Sequence, residues 1–191
     1  AAPISPQSRL DTFEGGSYVP ASHAGYPFSG ARDARKISPH TECQFMTRSE
    51  LSPDLLACQL PATSKKQLLE TLCKRLANHA SLDERKVLDA VLEREKLGST
   101  VIGDGIAIPH AMVDGASACV SLLATLEGHV DFDGVDVDLV MLVLGCEKDR
   151  TGHLAAMSAA SKRLRLSSKS LRNALQEAEL RNALEDLTAA A

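Results

Sequence analysis

Two stretches constrain this chain more than any other: residues 119–126 and 139–144 are apolar almost without interruption. A strand with one wet face alternates apolar with polar side chains, so a run that fails to alternate must be covered on both faces. Both runs are short enough to be strands and are expected at the centre of a sheet. Shorter strands are expected at 100–102 and 106–108. Helical signals surround them. Ser64-Lys65-Lys66-Gln67 fits a capping box, and Leu68, Leu69, Leu72 and Leu76 then keep one face apolar, predicting a helix to about Asn78. Ser81-Leu82-Asp83-Glu84 repeats the capping pattern, and Val87, Leu88, Val91 and Leu92 carry a second stripe until Gly98 caps a helix ending near Leu97. Leu154, Met157, Ser161 and Leu164 space a third helix, and 171–178 and 180–187 read as two closing ones. Strands interleaved with helices imply an α/β fold: one layered domain, a mixed β-sheet flanked by α-helices.

At 191 residues the chain holds one domain with a substantial core, and a second complete one would be cramped. Residues 1–45 are rich in Gly, Pro, Ser and Ala and keep no period of 2 or 3.6. Five of the six aromatic residues fall there (Phe13, Tyr18, Tyr26, Phe28, Phe45), leaving Phe132 to the remainder, so the two parts do not share a core chemistry. Residues 1–45 are read as an N-terminal extension, disordered or vector-derived, and 46–191 as the domain. The net charge of −4, without clustered Lys and Arg, argues against nucleic-acid binding. The five cysteines (Cys43, Cys58, Cys73, Cys119, Cys146) are odd in number and form no CxxC pair, which suits reduced thiols in a cytoplasmic protein. No apolar run approaches the ~20 residues of a membrane-spanning helix.

The chemistry-bearing stretch is Gly103-Asp104-Gly105-Ile106-Ala107-Ile108-Pro109-His110. Its glycines permit close approach of a partner, and Pro109 removes a backbone donor and favours ending a strand just before His110, leaving the imidazole at a rim. An imidazole nitrogen is nucleophilic at neutral pH without prior deprotonation, so such a histidine suits transient phosphorylation. This octet, with Arg94-Glu95-Lys96-Leu97-Gly98-Ser99-Thr100, Ala62-Thr63-Ser64-Lys65-Lys66, His153-Leu154 and Ser161-Lys162-Arg163-Leu164, resembles the type 2 IIA proteins of the bacterial phosphotransferase system, nearest the nitrogen-regulatory branch.

The resemblance implies that His110 is the phosphoryl acceptor. On helical geometry alone Arg94 reads equally as a snorkelling arginine or as a phosphate ligand at the edge of the stripe, and the resemblance favours the ligand. His153 follows the capping candidates Asp149 to Gly152, so it falls in the first turn of a helix, where free amides and the dipole favour an anion. It is either a packing histidine or, by resemblance, the partner of His110. Asp104 is a candidate for orienting His110 or Arg94, against the plainer reading of a turn former between glycines. Cys146 reads as a buried strand-end thiol, and His79 and His129 as exposed.

The implied donor is the phosphohistidine of an HPr-like protein, with no nucleotide, metal or other cofactor. Three outputs compete: a nitrogen-branch regulator of targets such as sensor kinases or potassium transporters, a fructose- or mannitol-type transport component passing phosphate to a IIB cysteine, and a non-catalytic binding protein. A metal site on His110 and His153 lacks a third ligand of recognisable spacing.

Overall fold

The computed structural model describes residues 52–185. The 1–45 extension lies outside the described residues, as do Met46 and the end of the last expected helix at Leu187. The elements run β1 (Leu55–Leu60), α1 (Lys65–Ala80), α2 (Glu84–Lys96), β2 (Val101–Gly103), β3 (Ile106–Ala107), β4 (His110–Val113), β5 (Val120–Asp131), β6 (Asp136–Cys146), α3 (Arg150–Asn173) and α4 (Glu177–Glu185). The six-stranded sheet has the order β1-β5-β6-β3-β2, with β4 also paired to β6. It is mixed: β5 and β6 are antiparallel, as are β2 and β3, while β1 runs parallel to β5 and both β3 and β4 run parallel to β6.

The two apolar runs are the central strands β5 and β6. Alternate residues of β6 feed opposite cores, as the pleat requires. Val140, Leu142 and Leu144 join Leu68, Leu72, Leu76, Val87 and Val91 of α1 and α2. Leu139, Met141 and Val143 join Ala160, Leu164, Leu171, Leu180 and Leu184 of α3 and α4. The domain is therefore a three-layer sandwich with α1 and α2 on one face and α3 and α4 on the other.

Several elements differ from the sequence expectation. Ser81 does not start α2: it ends α1 in the left-handed conformation (φ 55°), and the Leu82 N–H closes back on the Ala77 carbonyl. The cap of α2 is Asp83, whose carboxylate accepts from the Lys86 N–H at 2.9 Å. The third helix does not stop near Leu164. It continues to Asn173 and absorbs the start of the expected 171–178 helix, because Ser167 is buried in its stripe and donates its hydroxyl to the Arg163 carbonyl at 2.8 Å. Strand β1 has no clean alternation, since Gln59 takes a positive φ (50°) where the register with β5 shifts.

Candidate functional site

Strands β3 and β4 are one line of chain interrupted at Ile108–Pro109. Ile106 pairs with Leu139 and His110 with Val143, an offset of 33 residues in each case, so the break costs no register. Proline has no N–H to give a ladder, yet its carbonyl still accepts from the Val143 N–H at 3.0 Å. The expectation that the strand ends before His110 needs this correction: it pauses there, and His110 is the first residue of the resumed strand. Ala111 and Val113 belong to the α1–α2 core. His110 and Met112 therefore face the α3 side.

Both ring nitrogens of His110 are engaged. Nδ1 lies 2.9 Å from the Ile108 carbonyl, which can only accept, so Nδ1 carries the proton. Nε2 then holds the lone pair, and it accepts from the Arg94 Nε–H at 3.0 Å. The ring is half-buried, and its pKa falls below the ordinary 6.5 because burial penalises the cation and the Arg94 charge adds to that, with the Ile108 carbonyl and Glu95 acting the other way. The neutral, nucleophilic form is thus favoured. Arg94 also donates from Nη1 to the Gly98 carbonyl at 3.1 Å, which satisfies an orphan acceptor beyond the end of α2. A guanidinium has five N–H donors, so further ones remain for an incoming anion.

His153 approaches from the other layer. Asp149 caps α3 by accepting from the Gly152 N–H at 2.7 Å, which puts His153 in the first turn, 7% exposed. The two imidazole centroids are 5.7 Å apart at a 46° tilt. The His153 pKa is also lowered, by burial and then by His110. Its Nδ1 is buried with no hydrogen-bond partner. A lone pair is less costly to leave there than an N–H, which places the proton on Nε2. Gly145 makes the room: a Cβ at that position would collide with Nδ1 and sit 2.7 Å from Cγ of His153 and 2.6 Å from Sδ of Met112. Gly152 is needed in the same way, because a Cβ there would run into the Asp149 carboxylate that caps the helix.

Arg94, His110 and His153 line one open cleft of about 450 Å³ together with Ala90, Glu93, Leu97, Ala111 and Met112. Leu97, at the end of α2, lines it and is 84% exposed, and Leu154, the residue after His153, is 69% exposed. Asp104 is not brought to this cleft. It occupies the β2–β3 turn with φ 52°, is exposed, and its backbone carbonyl accepts from the Arg172 guanidinium, in keeping with the turn-former reading. Cys146 is buried at the end of β6, while His129 and His79 are exposed. Among the described residues no group of three or more His, Cys, Asp or Glu is placed to hold a metal ion, and no helix is long and apolar enough to cross a membrane. Gly145 escaped the sequence reading, and Gly152 entered it only within the capping stretch Asp149 to Gly152, not for the room its missing Cβ leaves.

Residues 50–188 match the family model for EIIA 2 of the phosphoenolpyruvate-dependent sugar phosphotransferase system, and the chain belongs to that family. Within it the chain is a phosphotransferase-system IIA protein similar to regulatory members. It is 36% identical over 118 residues to a nitrogen regulatory protein of Bradyrhizobium diazoefficiens, covering 60% of this chain and 77% of that one. It is 32% identical over 121 residues to a fructose-specific EIIA component of Haloferax volcanii, covering 61% and 79% of the two chains. The crystal structure of the nitrogen regulatory protein IIA-Ntr of Neisseria meningitidis superposes with a TM-score of 0.62 at 29% identity, covering 68% of this chain and 92% of that one.

Proposed function

We propose that this chain is a regulatory phosphocarrier of the nitrogen branch: His110 accepts a phosphoryl group from an HPr-like phosphoprotein, and its phosphorylation state governs binding to target proteins. The observation that carries the reading is the His110 ring itself, held with its proton on Nδ1 and its Nε2 lone pair on the Arg94 Nε–H, at an open cleft that His153 also lines. In the transfer, Nε2 attacks phosphorus in line. The donor's N–P bond breaks, its electron pair returning to the donor imidazole, which leaves neutral because its other ring nitrogen already carries a proton; His110 keeps its Nδ1–H and takes on the matching positive charge beside the phosphoryl dianion. Arg94 moves its Nε–H from Nε2 to a phosphoryl oxygen, and the Nε2–H of His153 donates to another, while the first turn of α3 adds the field of its free amides. The weak N–P bond of the donor leaves alignment and charge neutralisation as the main demands on this site. The exposed Leu97 at the cleft and the exposed Leu154 next to His153 supply apolar surface on which a donor protein docks and excludes water.

The regulatory output rests on the 36% identity to nitrogen regulatory proteins. Sensor kinases and potassium transporters are the target classes proposed. The fructose-specific relative keeps a second reading in play, transfer to a IIB cysteine. Incubation with phosphoenolpyruvate, enzyme I and an HPr-like donor should place one acid-labile phosphate on His110. His110→Ala should take up none, and Arg94→Ala should slow uptake by about 2.7–4 kcal/mol of activation free energy, roughly 10²–10³-fold. Phosphate mapped to His153, or normal labelling of His110→Ala, would sink the assignment. Rapid onward transfer to a sugar-specific IIB, with no protein distinguishing the two phosphorylation states, would replace regulation by transport.

A further inference from the structure

Two of the motifs noted in the sequence, the run containing Lys65 and the run from Arg94 to Thr100, meet at a side chain the cleft does not contain. Glu95 follows Arg94 on α2, and its side chain is only 6% exposed. Oε1 accepts from the Thr100 hydroxyl at 2.6 Å. Oε2 has no directed hydrogen bond and instead holds the Lys65 ammonium as an ion pair at 2.8 Å. Lys65 is in turn 2.6 Å from Asp133 in the β5–β6 turn and stands over the Phe132 ring at 5.1 Å. Burial works to lower the Lys65 pKa, and the two carboxylates outweigh it, so the ammonium stays charged.

We propose that Glu95 is a positioning residue for the His110 ring, a buried carboxylate that fixes at one point both segments from which the ring's two hydrogen bonds come. The first segment is the C-terminal turn of α2. Arg94 is the neighbour of Glu95 there, and its guanidinium meets Nε2. The second runs through Thr100. The Thr100 carbonyl accepts from the Ile108 N–H at 3.0 Å, and the Ile108 carbonyl holds Nδ1 at 2.9 Å. Thr100 itself is 5% exposed, so its hydroxyl has no water to turn to. A break in the pin frees the helix end and the Ile108 carbonyl together. The ring then loses its fixed tautomer and its aim at the donor phosphorus. Misplacement on the order of 1 Å is enough to slow a positioned reaction by about 10²-fold. The inference rests on His110 being the phosphoryl acceptor, and its test includes a readout that does not need phosphorylation.

The variants are Thr100→Val, which removes the hydroxyl at nearly constant shape, Thr100→Ser, which restores it, and Glu95→Gln. Imidazole ¹⁵N NMR of the unphosphorylated protein reports the His110 tautomer. Single-turnover phosphoryl uptake at varied donor concentration separates the limiting rate from half-saturation. Thr100→Val and Glu95→Gln should convert a spectrum dominated by Nδ1–H into an averaged one and slow the limiting rate by about 10- to 100-fold, with half-saturation within about twofold of wild type. Thr100→Ser should return both. Folded Thr100→Val protein with the wild-type ring spectrum overturns the proposal, as does a rate loss without a tautomer change. Should Glu95→Gln fail to fold, the Thr100 pair decides. Should wild-type protein take up no phosphate, the phosphocarrier reading fails while the ring spectra still judge the pin.

Discussion

Gly145 acts through the side chain it lacks. In register it sits opposite Met112, and the space above its Cα is filled by the His153 ring. Gly145→Ala should push that ring off its line to His110. Phosphoryl uptake should then slow about as much as in His153→Ala, with a stability loss on the order of 1–3 kcal/mol from overpacking. In a His153→Ala background, where the space is open, the same change should do little, and rates and melting curves of the four proteins close that cycle. Equal, additive losses in both backgrounds would show that Gly145 serves some other purpose. The residues gathered in the cleft were legible as chemistry because imidazole and guanidinium groups announce themselves within local motifs. Gly145 was not, since its meaning arises from strand register and from a helix far along the chain. Asp104 was legible as a turn residue, and its placement between two glycines outweighed its charge.

At the scale of elements, the first turn of α3 depends on one carboxylate. Asp149→Ala should cost about 1 kcal/mol, within the 0.5–2 expected for a lost cap, readable as a shifted urea midpoint with unchanged slope. Because His153 stands in that same turn, uptake should fall as well, and Asp149→Asn or Asp149→Ser should recover most of both. A stable Asp149→Ala protein with full uptake would separate the cap from the site. Apolar periodicity found this helix but misjudged its length, because Ser167 is polar in composition and buried in fact. The capping pattern at Ser81 failed for a related reason. Two caps lie within three residues, and the local backbone closure of Leu82 onto Ala77, with Ser81 left-handed, decides which helix each serves. The central strands were the easiest elements to read, since their lack of alternation left no other place for them than between layers.

Across the whole molecule, the two imidazoles make the fold sensitive to mild acid. Both have folded-state pKa values below the ordinary 6.5, each chiefly through burial. The unfolded chain therefore binds more protons between that value and the folded ones, so stability is complete above about pH 6.5 and falls as pH drops through the window below it. Urea midpoints should be level from pH 8 to 7 and decline toward pH 5.5, with a shallower decline in His153→Ala. A midpoint flat across this range would contradict the buried-neutral description of the pair. The three components of the cleft come one from each layer: Arg94 from the α1–α2 side, His110 from the sheet, His153 from the α3–α4 side. A phosphoryl group on His110, gripped by Arg94 and His153 as proposed, would be a rivet through the edge of the sandwich. One covalent addition would tie side chains of both outer layers to a single sheet residue, and a partner protein could sense that stiffening at helix ends without touching the phosphate.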